Sequence, residues 1–263
     1  MSGFKKLFSS LVINTTIIFG HLFSKAMTQE VTKRILIYGA GAISQFLPYV
    51  KSLVGRSNPR MCLLPTAVAD NPYTINNWYE QCNSLAIAGF VQRMFISSYE
   101  QKESFEEVLL SMDAILVTGG NTLNMLAIWK AQGVDVVLRK AWEKGILLSG
   151  GSAGSLCWFE HGTTDSRPKE ITTVDCLGFL PGSHCPHYDS EKTRRPLYHS
   201  YIKSKIFKPG YACDDRAAIL FHNQQVHKVI ALNEESNAYY VYTENDEVYE
   251  KKFDKEVLSD HLS

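Results

Sequence analysis

Gly150-Gly151-Ser152-Ala153-Gly154 sets a serine midway between two glycines, each two residues away. G-x-S-x-G between an apolar strand and a helix is the pattern that presents a nucleophilic serine on a sharp turn. Side chains flanking so tight a turn would collide, and Gly150 and Gly154 have none to collide. The apolar run at 146–148 supplies the strand. A helical pattern from 153 to about 160 supplies the helix, whose amino end would favour developing negative charge. The competing interpretation is a glycine-rich strand–helix turn without chemistry.

A serine hydroxyl is a weak nucleophile unless a base takes its proton, and the usual base is a histidine held by an acid. The chain has eight histidines. His21 and His261 lie near the termini, and His222 and His227 fall among apolar runs where surface positions are the plain explanation. His161 would end the serine's own helix and be carried away from it. His184 and His187 share Leu180-Pro181-Gly182-Ser183-His184-Cys185-Pro186-His187-Tyr188-Asp189, a loop constrained by two prolines and a glycine. Constrained loops on a scaffold are good carriers of catalytic groups. With Cys185 between them, these histidines could instead ligate a metal, but no third ligand at matching spacing is apparent, so no metal is expected. For the acid, Asp165, Glu160, Glu170, Asp175 and Asp189 are all candidates, and spacing does not rank them.

The elements that must position these residues alternate. Apolar runs at 34–38, 61–64, 94–96, 114–117 and 146–148 read as strands. Helical spacing covers 44–54, 78–88, 104–110, 123–130 and 136–144. Such alternation predicts an α/β fold, a mostly parallel sheet flanked by helices, with chemistry beyond the carboxyl ends of the strands. Three of those ends carry glycines, at Gly39/Gly41, Gly119/Gly120 and Gly150/Gly151. The first pair resembles half of a dinucleotide fingerprint. It has Ser44 where Gly or Ala is wanted, and Leu64-Pro65-Thr66 lacks the ribose-binding acid, so it reads as a tight turn that could border a pocket. After about 212, four β-rich runs separated by polar turns predict a C-terminal antiparallel meander extending the sheet's edge.

Composition narrows the class. Hydrophobic residues are 45% and charged residues 21% of 263, the profile of a globular domain. A formal charge of zero without a basic run argues against nucleic-acid binding. Six scattered cysteines without a C-x-x-C pair argue against structural zinc or a disulfide framework. Lys5 and Lys6 precede an apolar stretch over 7–23, with Ser24 and Ala26 where a signal peptidase would read. Met27 is a rival start. Polar residues dilute the stretch, so stable membrane insertion is not expected. Residues 1–30 are set apart, and 31–263 is expected to form a single α/β domain. The expected location is cytoplasmic, or exported if 1–26 is a signal peptide. Oligomeric state is left open, a homo-oligomer included.

Three ordered segments carry a family resemblance: Val117-Thr118-Gly119-Gly120-Asn121-Thr122, Gly150-Gly151-Ser152-Ala153-Gly154-Ser155 and Pro186-His187-Tyr188. Leu64-Pro65-Thr66-Ala67 and Asp214-Asp215 add weaker matches. Over roughly 34–245 the chain resembles the dipeptidase E and cyanophycinase family of serine peptidases, peptidase family S51. Around 187–195 it is most similar to uncharacterised bacterial members. The resemblance implies a class I glutamine amidotransferase-like fold with serine in place of cysteine, and no cofactor. It implies Ser152 as nucleophile, His187 as base, and an oxyanion hole from N–H groups near Gly119, Gly120 and Ala153. For the acid it implies Asp165 on the dipeptidase E pattern, or Glu170 on the cyanophycinase pattern. The implied substrate is a short peptide, Asp-X dipeptides included, with Asn121, Arg194 and Arg195 as candidate binding residues. Arginine suits a substrate carboxylate because it pairs with it bidentately; a solvated helix start explains the two arginines equally well. The alternatives are hydrolysis of a β-aspartyl polymer and a catalytically inactive binding protein of the same fold.

Overall fold

The computed structural model describes residues 31–40, 43–96 and 102–258; the signal-peptide reading of 1–26 falls outside them. The described residues belong to one unit, Val31–Ser263. In chain order its elements are β1 (Arg34–Tyr38), α1 (Ile43–Val54), β2 (Arg60–Leu64), α2 (Pro72–Ser84), β3 (Ala88–Val91), α3 (Phe105–Leu109), β4 (Ala114–Val117), α4 (Thr122–Gln132), α5 (Val134–Glu143), β5 (Leu147–Gly151) and α6 (Ala153–Leu156). There follow β6 (His161–Thr164), β7 (Thr172–Asp175), β8 (Ser183–Cys185), α7 (Arg194–Lys203), β9 (Gly210–Cys213), β10 (Ala217–His222), β11 (Gln225–Ala231), β12 (Ala238–Glu244), β13 (Glu247–Lys252) and β14 (Glu256–Val257).

Eight strands form a mixed sheet in the order β14-β11-β10-β1-β5-β4-β2-β3. The run β1-β5-β4-β2-β3 is parallel throughout. Its strands are apolar on both faces because both faces are covered. Alternate residues enter different cores. Ile35 and Ile37 of β1 pack with Trp129, Leu138 and Trp142 from α4 and α5, while Leu36 and Tyr38 pack with Phe46, Val50 and Trp78 from α1 and α2. Parallel strands put the three glycine-bearing ends, after β1, β4 and β5, on one edge of the sheet. No helix among the described residues is long and apolar enough to cross a membrane.

Several expectations are corrected. The third strand is β3, not 94–96, because α2 stops at Ser84 and the chain turns straight into the sheet. The Met94 and Phe95 N–H groups instead donate to the Asp70 carboxylate at 2.5 and 2.7 Å. The helix after Ser152 has four residues rather than eight, and His161 opens β6. The C-terminal meander is divided. β10 and β11 extend the main sheet, β10 antiparallel to β1 and β11 antiparallel to β10, but β12 and β13 join a second sheet, β13-β12-β9-β8-β6-β7. That sheet has its own apolar cluster, in which Tyr198 and Ile202 of α7 meet Cys185, Ala212 and Val241. A helix with an apolar stripe must bury it, and this second sheet provides the partner.

Candidate active site

Ser152 follows β5 with φ 53° and ψ −118°, a strained conformation for a residue with a side chain. The surroundings hold it there. Its N–H donates to Gly39 O at 3.2 Å. Its carbonyl accepts from the N–H groups of Ser155 and Leu156, at 3.0 and 2.9 Å, and from the Ser155 hydroxyl at 2.7 Å. The flanking glycines allow α6 to press against the neighbouring strand. A Cβ on Gly154 would lie 2.2 Å from Val117 O, and one on Gly150 would lie 2.5 Å from Gly154 O.

His187 follows β8, also at positive φ, 54°. Its Nε2 lies 2.8 Å from Ser152 Oγ, and its Nδ1 lies 3.0 Å from Asp215 Oδ1. An ionised carboxylate only accepts, so Nδ1 carries the ring proton and Nε2 accepts from the serine hydroxyl. Such a chain can draw the proton from Ser152 and stabilise the imidazolium that results.

The residue against Nδ1 is Asp215, not Asp165 or Glu170. The reason is topological. β8 and β9 are parallel neighbours, with Cys185 opposite Ala212, so the segments leaving their carboxyl ends emerge together. His187 stands two residues past β8 and Asp215 two residues past β9. The chain then crosses to β10, which pairs with β1, and Ala40 N–H donates to Asp215 O at 3.2 Å. Asp165 and Glu170 sit in the connection between the antiparallel strands β6 and β7, both exposed. Asp165 is 3.9 Å from Arg194. Of the other acids, Asp189 accepts the Asp215 N–H at 2.9 Å, Glu160 accepts from Gly182 N–H and Lys208, and Asp175 ends β7. Asp214-Asp215 was visible in the sequence as a weak match. Spacing could not rank it, because the contact depends on β8 and β9, 25 or more residues apart in the chain, lying side by side.

His184 does not join His187. Its Nδ1–H donates to Tyr211 O at 3.0 Å, and its Nε2 lies 2.9 Å from Ser155 Oγ. Burial pushes it down to about 3, so it stays neutral. The single Ser155 proton is shared between His184 and Ser152 O, which braces the turn. Both ring nitrogens of His184 are thus engaged within the protein. Among the described residues no group of three or more His, Cys, Asp or Glu is placed to hold a metal.

The Gly119-Gly120 segment lies against the serine: a Cβ on Gly119 would be 3.1 Å from the Ser152 Cβ. The segment is pinned at both ends, by Thr118 N–H to Leu64 O at 3.3 Å and Asn121 N–H to Ala67 O at 2.8 Å. The proposed binding residues are otherwise occupied. Asn121 caps α4 through Asn124 N–H and donates to Ser166 O. Arg194 is buried and bonded to Glu191 at 2.8 Å and to Thr163 O. Arg195 forms a two-point pair with Glu250, which also accepts from Tyr188 and contacts His199. Neither guanidinium is free for a substrate carboxylate, because each already has one.

The model of peptidase family S51 matches residues 24–229. The chain is 39% identical over 224 residues to an uncharacterised peptidase of Bacillus subtilis (strain 168), YgaJ, covering 83% of this chain and 96% of that protein. Among solved structures, it is similar to a peptidase from an acI-B1 actinobacterium, with TM-score 0.65, 13% identity and coverage of 86% of this chain and 96% of that one. It is also similar to a structure described as a peptidase E protein from Listeria monocytogenes EGD-e, with TM-score 0.59, 19% identity and coverage of 77% and 100%. At these identities the structures speak for a shared α/β fold. The extent of the family match, with the full-length relative, leaves one conclusion: this chain belongs to peptidase family S51.

Proposed function

We propose that the chain is a serine exopeptidase that hydrolyses short peptides through an acyl-enzyme on Ser152, His187 and Asp215. The observation that carries this is the unbroken Ser152–His187–Asp215 hydrogen-bond chain, 2.8 and 3.0 Å, starting from a serine at φ 53°. Ser152 Oγ attacks the peptide carbonyl while His187 Nε2 takes its proton. The oxyanion is met by N–H groups of the Gly119-Gly120 segment and Ala153. The imidazolium gives the proton to the leaving amine, the C–N bond breaks, and the acyl group stays on Ser152. Water, deprotonated by His187, then releases the acid and restores the serine. Asp215 keeps the proton on Nδ1 throughout.

A small cavity beside Gly119, about 200 Å³, supports short substrates; pockets that enclose drug-sized ligands run from roughly 300 to 1,000 Å³. The five parallel strands with the serine turn at one strand end support the class I glutamine amidotransferase-like architecture. The test is a dipeptide library with wild type, Ser152→Ala and His187→Ala, joined to mass spectrometry after treatment with a fluorophosphonate. Hydrolysis and a single adduct, both lost in Ser152→Ala, are expected. No hydrolysis and no adduct on Ser152 would overturn the reading.

A further inference from the structure

The cavity beside Gly119 has a definite chemical character. It opens between the carboxyl ends of β2 and β4 and one face of α2. Thr118 and Gly119 form its inner wall, and a Cβ on Gly119 would stand 3.6 Å from Ser152 Oγ, so the cavity begins where the reacting hydroxyl lies. Thr74, Asn77, Trp78 and Gln81 line the helical side; the spacing i, i+3, i+4, i+7 puts them on one stripe. Trp78 is fixed as an apolar surface, because its Nε1–H donates to Phe90 O at 2.9 Å.

Among the described residues that line it, none carries a charge at neutral pH. The Asn77 and Gln81 amides and the Thr74 hydroxyl offer donors and acceptors together, and among the described residues these side chains are tied to no protein partner. The arginines that could have met an acid, Arg194 and Arg195, are held by Glu191 and Glu250. A carboxylate entering this cavity would shed water without gaining a cation, whereas an amide or hydroxyl would exchange one set of hydrogen bonds for another.

We propose that this cavity receives the side chain next to the scissile bond and selects uncharged amide- or hydroxyl-bearing side chains over their acidic isosteres, Asn over Asp and Gln over Glu. The proposal rests on the serine-peptidase reading for its catalytic consequence, but the selection is a property of the cavity and is also readable as binding.

The experiment uses the full chain and the isosteric pairs Asn-Leu and Asp-Leu, Gln-Leu and Glu-Leu, Leu-Asn and Leu-Asp. The kcat/KM of wild type should favour the amide at one of the two positions by about tenfold or more. Gln81→Lys, and separately Asn77→Lys on the exposed rim, should reduce that ratio by about tenfold, because each adds the missing cation. Calorimetric binding of the same peptides to Ser152→Ala should show the same order. Hydrolysis without amide preference, or a preference unmoved by both lysine variants, overturns the proposal and leaves the peptidase reading intact. Amide-selective binding without hydrolysis by wild type sinks the peptidase reading and leaves the selection standing. Absence of both hydrolysis and binding overturns both.

Discussion

The backbone carbonyl of Asp214 fills the space where Gly39 lacks a side chain: a Cβ on Gly39 would stand 2.2 Å from that oxygen and 2.6 Å from Cys213 O. Gly39 O meanwhile accepts the Ser152 N–H at 3.2 Å. One residue therefore sits between the serine turn and the segment that carries Asp215. Gly39→Ala should push that segment away, costing about 3 kcal/mol of stability and, by displacing Asp215, more activity than the stability loss explains. Urea denaturation alongside kcat/KM checks this; near-wild-type values of both would show that the crossing segment yields freely.

Asp215→Asn should keep the fold and lower kcat by about 10³–10⁴, because an amide no longer enforces the Nδ1–H tautomer. Asp165→Asn and Glu170→Gln, whose carboxyls sit exposed on the β6–β7 connection, should stay within about twofold of wild type, as ordinary surface changes do. Steady-state rates on any cleaved dipeptide decide between these carboxylates, and a collapse in Asp165→Asn with a silent Asp215→Asn would refute the assignment.

Arg194 is a structural cation. Its side chain is 2% exposed and is bonded to Glu191 and Thr163 O. Glu191 is itself 35% exposed, so truncation leaves that carboxylate partly solvated, and the loss comes from the emptied buried site and the donor taken from Thr163 O, about 2–3 kcal/mol. Arg194→Ala should therefore lower the urea midpoint strongly while leaving the Asn-to-Asp substrate ratio unchanged. A shifted ratio in a stably folded variant would instead give the arginine a role towards substrate.

Acid sensitivity should trace to His184. Burial holds it neutral down to about pH 3 in the folded chain, against an ordinary value of 6.5. Below about pH 6.5 the unfolded chain therefore binds a proton that the folded chain does not, and stability falls as pH drops, by up to ~1.4 kcal/mol per unit. Asp214 acts in the opposite sense. Burial pushes it up to about 6 from 3.8, so between these values the folded carboxyl keeps a proton the unfolded one has lost, and stability rises as pH falls. Asp214 is common to wild type and His184→Gln, so the difference in urea midpoint between pH 7 and pH 5 isolates the histidine. His184→Gln should lose less stability than wild type over that interval; equal losses would rule the histidine out.

Local signals carried much of the site. The alternation of apolar runs and helical spacing was enough for β1, β2, β4 and β5 and the helices on their two faces, since each element's periodicity is written within its own residues. The Gly150–Gly154 spacing marked Ser152 because the close approach of α6 to β4 needs those glycines in that place. The constrained loop singled out His187 with His184 beside it, and only the family resemblance chose between them. The second sheet was not legible, because β6, β7, β8 and β9 are three or four residues long, too short for a periodic signal, and β8 finds β9 across an intervening helix. Without that sheet nothing in the chain places Asp215 beside His187. Asp165 looked right by order between serine and histidine, yet order in the chain does not determine which strand ends are neighbours.

What the sequence determined by itself was the sharp turn that presents Ser152 and the α/β type of the scaffold, since a strand, a turn and a helix are local events set by neighbouring side chains. What only the tertiary structure decided was the partner of His187, the engagement of Arg194 and Arg195, and the neutral lining of the cavity beside Gly119. The first depends on β8 and β9 pairing side by side, the second on α7 lying against β6 and β13, and the third on α2 covering the ends of β2 and β4. That adjacency follows from burying apolar faces distant in the chain, and no spacing within one segment encodes it.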